Sequence, residues 1–596
     1  MSLIGKKGPR SQTCLAVIGL AVGMAVSTTA LASSALGQTG GASSPSVLLV
    51  GTFHGVKGGY TTIQSAVDAA RPGDFILVAP GDYRETADEQ SLPASYTEGG
   101  FGGVLITTPG ITLRGMSRSG VIVDGTKPGY HACSSKAAAQ NYGPTAPGGK
   151  SPLGRNGIVV YKANNVTIDN LTVCNFLNGA GYAGNEIWWN GGANSDKVGE
   201  KGYWGSYLTA TSTFYRTEST AAAYGIFSSN AAGPGGWDHI YASNFNDSGM
   251  YVGACRQLCD VTISHAWMEY NALGYSGTNS GGTIVVEHSQ FDHNKDGFDT
   301  NTQIYGDPPA PQNGACLGGK ISPITHTHSC WVFEHNYVHN NNNPNVPQAG
   351  EASNGPTGTG MTISGGRNDT VMNNVFANNG AWGILFIPYP GGTVYEYHQS
   401  CKKTGGIVLP PPFGCTYDPM SDALLHNTFR HNGYFHNPSN SDFGQITLGA
   451  HQPQNCFRRN KYPDGSAPSN LEKTQRICGK LTRVARNGGP LFGQVLCDTG
   501  YLPCPKGSHY PKFIHVVMHA LPKLPSMPNP CAGVPANAWC PGGKPLPPEH
   551  RGDRGPERSG SALAQPPAMA QSPAGVQANN STWRPWLSAA RSRRVS

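Results

Sequence analysis

A short stretch of the sequence, DHNKDGFDTN at residues 292–301, concentrates side chains that could do chemistry. It holds three carboxylates, Asp292, Asp296 and Asp299, around Lys295, in a chain of which only 13% of the residues are charged. Carboxylate oxygens are ligands that Ca²⁺ prefers, and a desolvated lysine can act as a base near neutral pH. A polar turn of a repetitive scaffold would have the same composition, so the stretch itself leaves both interpretations open.

The residues around this stretch form a repeat. Gly225, Gly249, Gly274 and Gly297 are 24, 25 and 23 positions apart, and each unit contains short apolar runs separated by Asn, His or Gly. Such a period with β-type runs indicates a solenoid of stacked coils. Since one coil cannot bury its own apolar face, we expect neighbouring coils to stack at the strand spacing of about 4.8 Å.

Stacked coils place equivalent residues in columns that run along the solenoid. The predicted inward, apolar column is Met268, Phe291, Val338, Phe376 and Phe429. The predicted column of turn asparagines is Asn271, Asn294, Asn341, Asn379 and Asn432. Asparagine tolerates the left-handed conformation and hydrogen-bonds backbone groups in turns, so these side chains are expected to form a ladder.

A further predicted column faces outward and comprises Asn244, Glu269, Asp292 and His339. Glu269 and Asp292 would then lie one coil apart and would repel each other when both are ionised. A bound Ca²⁺ would remove that repulsion, which makes both residues candidate ligands.

Histidines recur at one position of the repeat, as His265, His288 and His335, and the position is taken up again by His426. Stacked imidazoles could bind a transition metal. The same position is a turn in which Asn or His is common, so a purely structural role is the alternative.

One long insertion is rich in aromatic residues, among them Trp188, Trp189, Tyr203 and Trp204. Aromatic faces stack on sugar rings, and they also pack a large loop onto a scaffold. The sequence therefore predicts either a sugar-binding platform or a packing cluster at these residues.

The segment that precedes the repeats has its own pattern. Ile63, Ala66, Val67 and Ala70 fall on one face of a helix that Pro72 ends, and an apolar strand follows. A short helix here would cover the first coil and protect an exposed sheet edge.

This entry segment and the repeats resemble the right-handed parallel β-helix proteins of the pectin-lyase-like superfamily, over roughly residues 46–450. The resemblance implies an all-β fold: a right-handed parallel β-helix (solenoid) with an N-terminal capping helix and long loop insertions. DGFD at residues 296–299 resembles the calcium-binding stretch of family-nine pectate lyases. It implies that Asp296 and Asp299 bind Ca²⁺ and that Lys295 removes a proton from a uronate.

The cysteines point to an oxidising compartment. Without Cys14, which lies in the apolar N-terminal run, fourteen of the 15 cysteines remain, and an even number is typical of disulfides. The predicted local pairs are Cys255 with Cys259, Cys316 with Cys330, Cys401 with Cys415, Cys497 with Cys504, and Cys531 with Cys540.

The sequence predicts accessory segments at both ends of the β-helix. Residues 1–32 have the basic and apolar regions of a signal peptide, so the mature protein is expected to be secreted. Residues 451–540 are predicted to form a Cys-rich C-terminal cap, and residues 541–596 a disordered Pro/Gly/Ala-rich tail. Later apolar runs are too short for a membrane span, and the scattered basic residues argue against a nucleic-acid partner.

The sequence thus predicts a secreted, monomeric β-helix that interacts with polysaccharide. The first hypothesis for its activity is a Ca²⁺-assisted polysaccharide lyase that acts on an acidic, uronate glycan, with Asp296, Asp299, Asp292 and Glu269 as metal ligands and Lys295 as the base. The alternative is a non-catalytic protein that binds extracellular glycan or cell wall through its loops. A metal-handling β-helix based on the histidine column is the third hypothesis.

Overall fold

Three parallel sheets, named I, II and III here, form the body of the protein in this computed structural model. The structure describes residues 44–86, 101–145, 150–181, 183–192, 198–302, 331–390, 398–410, 414–446, 448, 455–464 and 488–547. Each coil contributes one strand to each sheet in turn, and every strand pairs in parallel with its equivalent in the next coil. This is a parallel β-helix, the fold that the sequence predicts.

The strands follow one another along each sheet in chain order. Sheet I contains Val47–Val50, Phe75–Val78, Thr112–Gly115, Val166–Asp169, Glu200–Ser206, Ala231–Asp238, Val261–Ser264, Ile284–Glu287, Trp331–Glu334, Asp369–Met372, Ala423–Leu425 and Cys456–Arg458. Sheet II contains Gly81–Tyr83, Val121–Asp124, Thr172–Cys174, Thr209–Thr211, Tyr241–Ser243, Trp267–Glu269, Gln290–Asp292, Tyr337–His339, Val375–Ala377 and Thr428–Arg430. Sheet III contains Phe101–Ile106, Arg155–Tyr161, Asn185–Asn190, Tyr224–Ser229, Ser248–Gly253, Leu273–Thr278, Asp299–Asn301, Thr359–Ser364, Trp382–Ile387 and Ser441–Gln445.

Smaller helices and strands lie outside the three parallel sheets. Antiparallel strands pair Thr52–Phe53 with Val56–Lys57, and Cys415–Tyr417 with both Tyr389–Pro390 and Ile407–Val408. The described α-helices are Ile63–Ala69, His398–Lys403 and Gly488–Asp498. Short 3₁₀ turns occur at Ala137–Ala139, Glu218–Thr220, Gly350–Asn354 and Pro541–Gly543. None of the helices that the structure describes is long and apolar enough to cross a membrane.

The inward column of sheet II is confirmed. Met268, Phe291, Val338, Phe376 and Phe429 are partners in consecutive strands and are all fully buried in the main core. Strand residues alternate between the inner and outer face, so all residues of this column face the core and are apolar.

The asparagine ladder is also confirmed. Each amide nitrogen donates to the side-chain oxygen of the next asparagine, at 3.1 Å from Asn271 to Asn294 and 3.0 Å from Asn294 to Asn341. The ladder continues to Asn379 and Asn432 at 3.2 and 3.0 Å. A second ladder, which the sequence analysis missed, runs through the turns between sheets I and II and comprises Asn336, Asn374, Asn427 and Asn460.

The predicted position of Asn244 is wrong by one residue. Ser243, not Asn244, is the partner of Glu269 in sheet II. The turn that follows has one residue more than its neighbour, because Ala242 and Ser248 of this coil align with Met268 and Leu273 of the next.

The helix Ile63–Ala69 packs on the core at the first coils. Its N-cap is Thr62, and Ile63, Ala66 and Val67 are buried in the main core. The side-chain amide of Gln64 donates to the carbonyl of Leu105 at 3.1 Å and accepts from its N–H at 2.7 Å. Leu105 belongs to the terminal strand of sheet III, so the helix satisfies backbone groups of a sheet edge.

Disulfides staple the loops at four of the predicted local pairs: Cys255–Cys259, Cys401–Cys415, Cys497–Cys504 and Cys531–Cys540. The predicted pair Cys316 and Cys330 lies outside the described residues. A further disulfide joins Cys133 to Cys174, 41 residues away, and ties an insertion to a strand of sheet II. A distant pair of this kind cannot be read from spacing.

The described part of the C-terminal region consists of one α-helix followed by a long segment that returns along the solenoid. The helix Gly488–Asp498 packs Leu491 and Val495 against Trp382 and Leu385 on the outer face of sheet III. Residues 505–547, called the C-terminal strap here, then run back along the solenoid, and residues 508–527 of the strap form neither helix nor strand.

Turn asparagines hold the strap in place. The amide of Asn437 donates to the carbonyl of His509 at 2.9 Å and accepts from its N–H at 2.6 Å. The amide of Asn244 makes the same pair with His519, at 2.9 and 3.1 Å. Both asparagines lie in turns between sheets II and III.

The strap then moves to the other edge of sheet II. Its Met527 donates to the side chain of Asn170, which lies between sheets I and II, at 2.9 Å. The strap therefore crosses the outer face of sheet II between residues 519 and 527. It ends at the first coils, where Trp539 is fully buried and donates to the carbonyl of Val56 at 3.0 Å.

Candidate functional site

The four predicted carboxylate ligands do not form one site. Glu269 and Asp292 are partners in adjacent strands of sheet II, on its outer face. Asp299 lies in a strand of sheet III, and Asp296 stands in the turn that leads to it. The two pairs separate because the chain turns a corner of the solenoid between Asp292 and Asp296.

A groove of about 1060 Å³ runs along the outer face of sheet III. Its lining includes one outward column of the sheet, which comprises Trp188, Phe227, Tyr251, Ser276, Asp299 and Thr362. At the strand spacing of about 4.8 Å, the four steps from Trp188 to Asp299 span about 19 Å. The groove therefore joins one predicted aromatic residue to one predicted carboxylate.

Four aromatic rings form a connected cluster in this groove. Trp188 stacks on Phe227 with ring centroids 5.2 Å apart, and Phe227 stacks on Tyr224 at 4.5 Å. Tyr251 meets Phe227 edge-on at 4.9 Å. Phe227, Tyr224 and Tyr251 are partly exposed, whereas Trp188 is buried and donates to the hydroxyl of Ser229 at 3.0 Å. The rings combine apolar faces with polar atoms, as carbohydrate sites do.

The other three predicted aromatic residues lie elsewhere. Trp189 and Tyr203 are fully buried in the core, where each packs 5.7 Å from Trp237, so they do not form a platform at the surface. Trp204 is 38% exposed but belongs to sheet I. Strand alternation is the reason: Trp188 and Trp189 are neighbours and must point to opposite faces.

Sequence reasoning missed Tyr224, Phe227 and Tyr251. Phe227 and Tyr251 are the partners of Trp188 in the next two coils. The strand register of sheet III aligns Phe227 and Tyr251 with Trp188. The insertion between Trp188 and Phe227 prevents that register from being predicted from the sequence.

Asp296 and Asp299 meet at one hydroxyl. Oγ1 of Thr362 is 2.9 Å from Oδ2 of Asp296 and 2.7 Å from Oδ1 of Asp299. Asp299 also accepts from Ser364 at 2.7 Å and from the amide of Asn301 at 2.9 Å. Among the described residues, Oδ1 of Asp296 is buried without a hydrogen-bond partner. Burial, with the charge of Asp299 added, raises the pKa of Asp296 well above its usual value.

These residues offer the all-oxygen donor set that Ca²⁺ prefers. A hard divalent cation fits between the carboxylates of Asp296 and Asp299 and the hydroxyls of Thr362 and Ser364. Oδ1 of Asp296, which has no partner among the described residues, would be one of its ligand atoms. A bound cation would oppose the effects of burial and of the Asp299 charge and would lower the pKa of Asp296.

Lys295 is buried rather than poised at the surface. It is 5% exposed, and its ammonium donates to Oε1 of Gln348 at 3.0 Å and to the carbonyl of Ser353. Burial lowers the pKa of Lys295, and the charge of Asp498 opposes that effect. The ammonium is thus turned toward the 3₁₀ turn Gly350–Asn354, which contributes to one wall of the groove.

The sheet II pair is set in a network of polar and aromatic groups. The hydroxyl of Tyr241 donates to Oε1 of Glu269 at 2.7 Å. Oδ1 of Asp292 accepts from the indole of Trp267 at 2.8 Å and from the amide of Gln290 at 3.0 Å. Both carboxylates are more than nine-tenths buried.

One histidine belongs to this cluster, and a second lies beside it in the next strand. Nδ1 of His293 lies 2.6 Å from Oδ2 of Asp292, and one potential ligand atom from each of Glu269, Asp292 and His293 lies within 4.8 Å of the others. His339 is the partner of Asp292 in the next strand of sheet II, as the sequence predicts.

The pKa values of the four titratable side chains in and beside this cluster shift in different directions. Burial, with the charge of Asp292 added, raises the pKa of Glu269 to about 7. Burial acts on Asp292 in the same direction, but the hydrogen bond from His293 and the neighbouring imidazoles hold its pKa below its usual value. The hydrogen bond to Asp292 raises the pKa of His293, whereas burial lowers that of His339.

The histidine column exists and is longer than predicted. His265 and His288 stack at 5.9 Å, and His288 and His335 at 5.3 Å. His239 and Tyr207 extend the stack by one ring each, at 4.6 and 4.5 Å. All five residues have positive φ, so they occupy the left-handed position of the turns between sheets I and II, as the structural interpretation requires.

Comparison with known proteins finds similar solved structures. No family model matches the sequence, and no curated protein matches it. Similar solved structures include a mannuronan C-5 epimerase A-module of Azotobacter vinelandii, at 10% identity and a TM-score of 0.37, covering 67% of this chain and 90% of that one. Pectate lyase Pel9A has 13% identity and a TM-score of 0.33 over 76% and 92% of the two chains. An alginate lyase from Paenibacillus sp. has 12% identity and a TM-score of 0.32 over 70% and 96%.

Proposed function

We propose that the protein is a secreted, polysaccharide-binding β-helix that holds an extended glycan chain along the groove of sheet III. The main support is the single column that carries Trp188, Phe227 and Tyr251 at one end and Asp299 at the other. A linear chain of sugar rings presents apolar faces and hydroxyls at regular intervals. Aromatic rings stack on the former, and serine, asparagine and carboxylate groups bind the latter.

Secretion is part of this proposal. The described disulfides need an oxidising compartment, and the predicted signal peptide would direct the chain there. Extracellular polysaccharide would then be accessible to the groove.

The charge of the groove constrains the type of glycan. Its described lining contains Glu218, Asp247 and Asp299 but no lysine or arginine. An acidic glycan would be repelled unless a cation lay between its carboxylates and these side chains. We therefore propose that a uronate chain binds through Ca²⁺ held by Asp296 and Asp299, which would neutralise the sugar carboxylate.

A Ca²⁺-assisted lyase is the second candidate function. Lys295, next to Asp296, has a pKa lowered by burial, which favours the neutral amine that a base needs. To reach a substrate, its ammonium would have to leave Gln348 and Ser353. The lyase therefore requires that the Lys295 side chain leaves these contacts, whereas glycan binding alone does not.

Calorimetry with defined oligosaccharides would test both functions. Oligouronates and neutral oligosaccharides would be titrated with Ca²⁺ and with a chelator, using the wild type, Asp299→Asn and, as a matched control, Asp464→Asn, whose residue is exposed outside the groove. We expect Ca²⁺-dependent oligouronate binding that Asp299→Asn weakens at least tenfold and Asp464→Asn leaves unchanged. Failure of both glycan classes to bind would refute the proposed function.

Ultraviolet absorbance of an unsaturated product would separate the lyase from the binder. A signal that is lost in Lys295→Met, at unchanged oligouronate affinity, would support the lyase. Binding without any product would support the non-catalytic protein.

A further inference from the structure

We propose that Glu269, Asp292, His293 and His339 form a binding site for a divalent transition metal of the zinc class on the outer face of sheet II. This site is independent of the groove on sheet III and of the Ca²⁺ ligands proposed there. Its four donors come from three consecutive coils, and the register of sheet II aligns Glu269, Asp292 and His339.

The donor atoms are already close together. One ligand atom from each of Glu269, Asp292 and His293 lies within 4.8 Å of the other two. A tetrahedral Zn²⁺ with bonds of about 2.1 Å would hold its ligands about 3.4 Å apart. The observed spacing of these atoms is therefore at most about 1.4 Å wider than a tetrahedral ion requires.

His339 is the observation that points to a ligand. The residue is only 8% exposed, and its Nε2 is buried without a hydrogen-bond partner among the described residues. Nδ1 lies 3.0 Å from the side-chain amide of Asn340. Metal binding by Nε2 requires the oxygen of that amide to face the ring, where it accepts from Nδ1–H and leaves the lone pair on Nε2. A buried nitrogen left unpaired costs free energy, and metal coordination would remove that cost.

His339 also stands beside the rest of the cluster. It is the strand partner of Asp292, its ring is 6.3 Å from that of His293, and the charges of both residues act on it. The ring of Tyr337 stacks on it at 3.8 Å and fixes its orientation.

The donor set selects the kind of metal. Two imidazoles and two carboxylates suit Zn²⁺ and related transition metals, whereas Ca²⁺ takes six to eight oxygen ligands. Hydrogen bonds to the carboxylates, from Tyr241 to Glu269 and from Trp267 to Asp292, would fix the orientation of the two ligand groups.

The site opens to solvent at His293, whose side chain is 43% exposed. His519 of the C-terminal strap borders this opening, because its ring stacks at 3.6 Å on Tyr270, which lies 5.2 Å from His293. A metal ion could therefore enter beside the strap without unfolding of a coil.

Zn²⁺ binding to the full mature chain, freed of metal with a chelator and without a histidine tag, would test the proposal. The variants would be His339→Ala, His293→Ala and the conservative Glu269→Gln. His431→Ala is the matched control, because His431 follows its sheet II strand just as His293 does but contacts Asn378 rather than a carboxylate. His265→Ala would report on the other close group, Asp238, His239 and His265.

We expect one Zn²⁺ per chain by calorimetry and elemental analysis. Affinity should fall at least tenfold in His293→Ala, His339→Ala and Glu269→Gln and stay unchanged in His431→Ala and His265→Ala. The visible spectrum of bound Co²⁺ should show tetrahedral coordination and should change in Glu269→Gln. No Zn²⁺ binding by the folded wild type, equal binding by all variants, loss only in His265→Ala, or stronger binding of Ca²⁺ than of Zn²⁺ at this site would each overturn the proposal.

Discussion

Trp188 and Asp299 occupy the same outward column of sheet III, four strands apart, although 111 positions separate them in the sequence. The column between them carries Phe227, Tyr251 and Ser276. A solenoid makes this possible because each coil adds one residue to every column. The candidate glycan site is therefore a property of stacked coils rather than of one loop.

The aromatic residues of the groove should carry much of the glycan affinity. Phe227→Ala and Tyr251→Ala should each weaken oligosaccharide binding by about threefold to tenfold, since a stacking contact contributes about 0.5–1.5 kcal/mol. Trp204→Ala is the control, because Trp204 is exposed on sheet I. Calorimetry on variants that are folded to the same extent would show the effect. An equal loss of oligosaccharide affinity in all three variants would argue against a localised platform.

The asparagine ladder should contribute strongly to stability. Asn341 accepts from the N–H and the amide of Asn294 and donates to the carbonyl of Phe291 and to Asn379. In Asn341→Ala, several buried polar groups would lose their partners, so the free energy of unfolding should fall by about 2–5 kcal/mol. Urea denaturation would measure it. The exposed Thr262→Ala should change it by less than about 0.5 kcal/mol.

The pH dependence of stability should carry a contribution from Glu269. Its folded-state pKa is about 7, above the 4.5 of an unperturbed glutamate, so the folded state binds more protons between these values. Stability from this group is therefore present below about pH 4.5 and falls as the pH rises toward 7. Glu269→Gln keeps an acceptor for Tyr241 and should remove this contribution.

Thermal unfolding between pH 4 and 8 would check this sign. The difference in melting temperature between Glu269→Gln and wild type should grow in favour of the variant as the pH rises. A constant difference across the range would contradict the raised pKa. Saturating Zn²⁺ should reverse the trend if the metal binds at Glu269, because it binds the ionised form.

The end of the C-terminal strap should be an integral part of the fold. Trp539 is fully buried with Phe53, Leu77 and Met116 at the first coils. Trp539→Ala should lower the free energy of unfolding by about 3–5 kcal/mol. Phe513→Ala removes a strap residue that is 51% exposed and should have little effect. Urea denaturation of both variants would decide, and equal stability would mean that the strap is only loosely attached.

Local patterns in the sequence were sufficient for the repeat. The glycine spacing, the inward column from Met268 to Phe429 and the asparagine ladder all follow from one coil that is repeated, because burial and turn hydrogen bonds act on each coil in the same way. The disulfides within short loops could be predicted for the same reason, since both cysteines lie in one turn.

The candidate sites depend on distances between residues of different strands and sheets, which local sequence patterns do not specify. DGFD suggested Asp296 and Asp299 as calcium ligands, and the outward column added Asp292 and Glu269. The corner between sheets II and III places Asp296 and Asp299 at one face and leaves Asp292 with Glu269 on another. One extra residue in the turn after Ser243 moved Asn244 out of the outward column.

The sequence by itself therefore determined the β-helix, its core and the asparagine ladder from Asn271 to Asn432, because these arise from interactions between equivalent residues of neighbouring coils. Only the tertiary structure decided which side chains share a surface. Insertions of different length hide the register of sheet III, strand alternation buries Trp189 beside Trp188, and the strap brings His519 onto Tyr270 from 249 positions away. Those contacts depend on where corners, insertions and the returning strap place each residue in space.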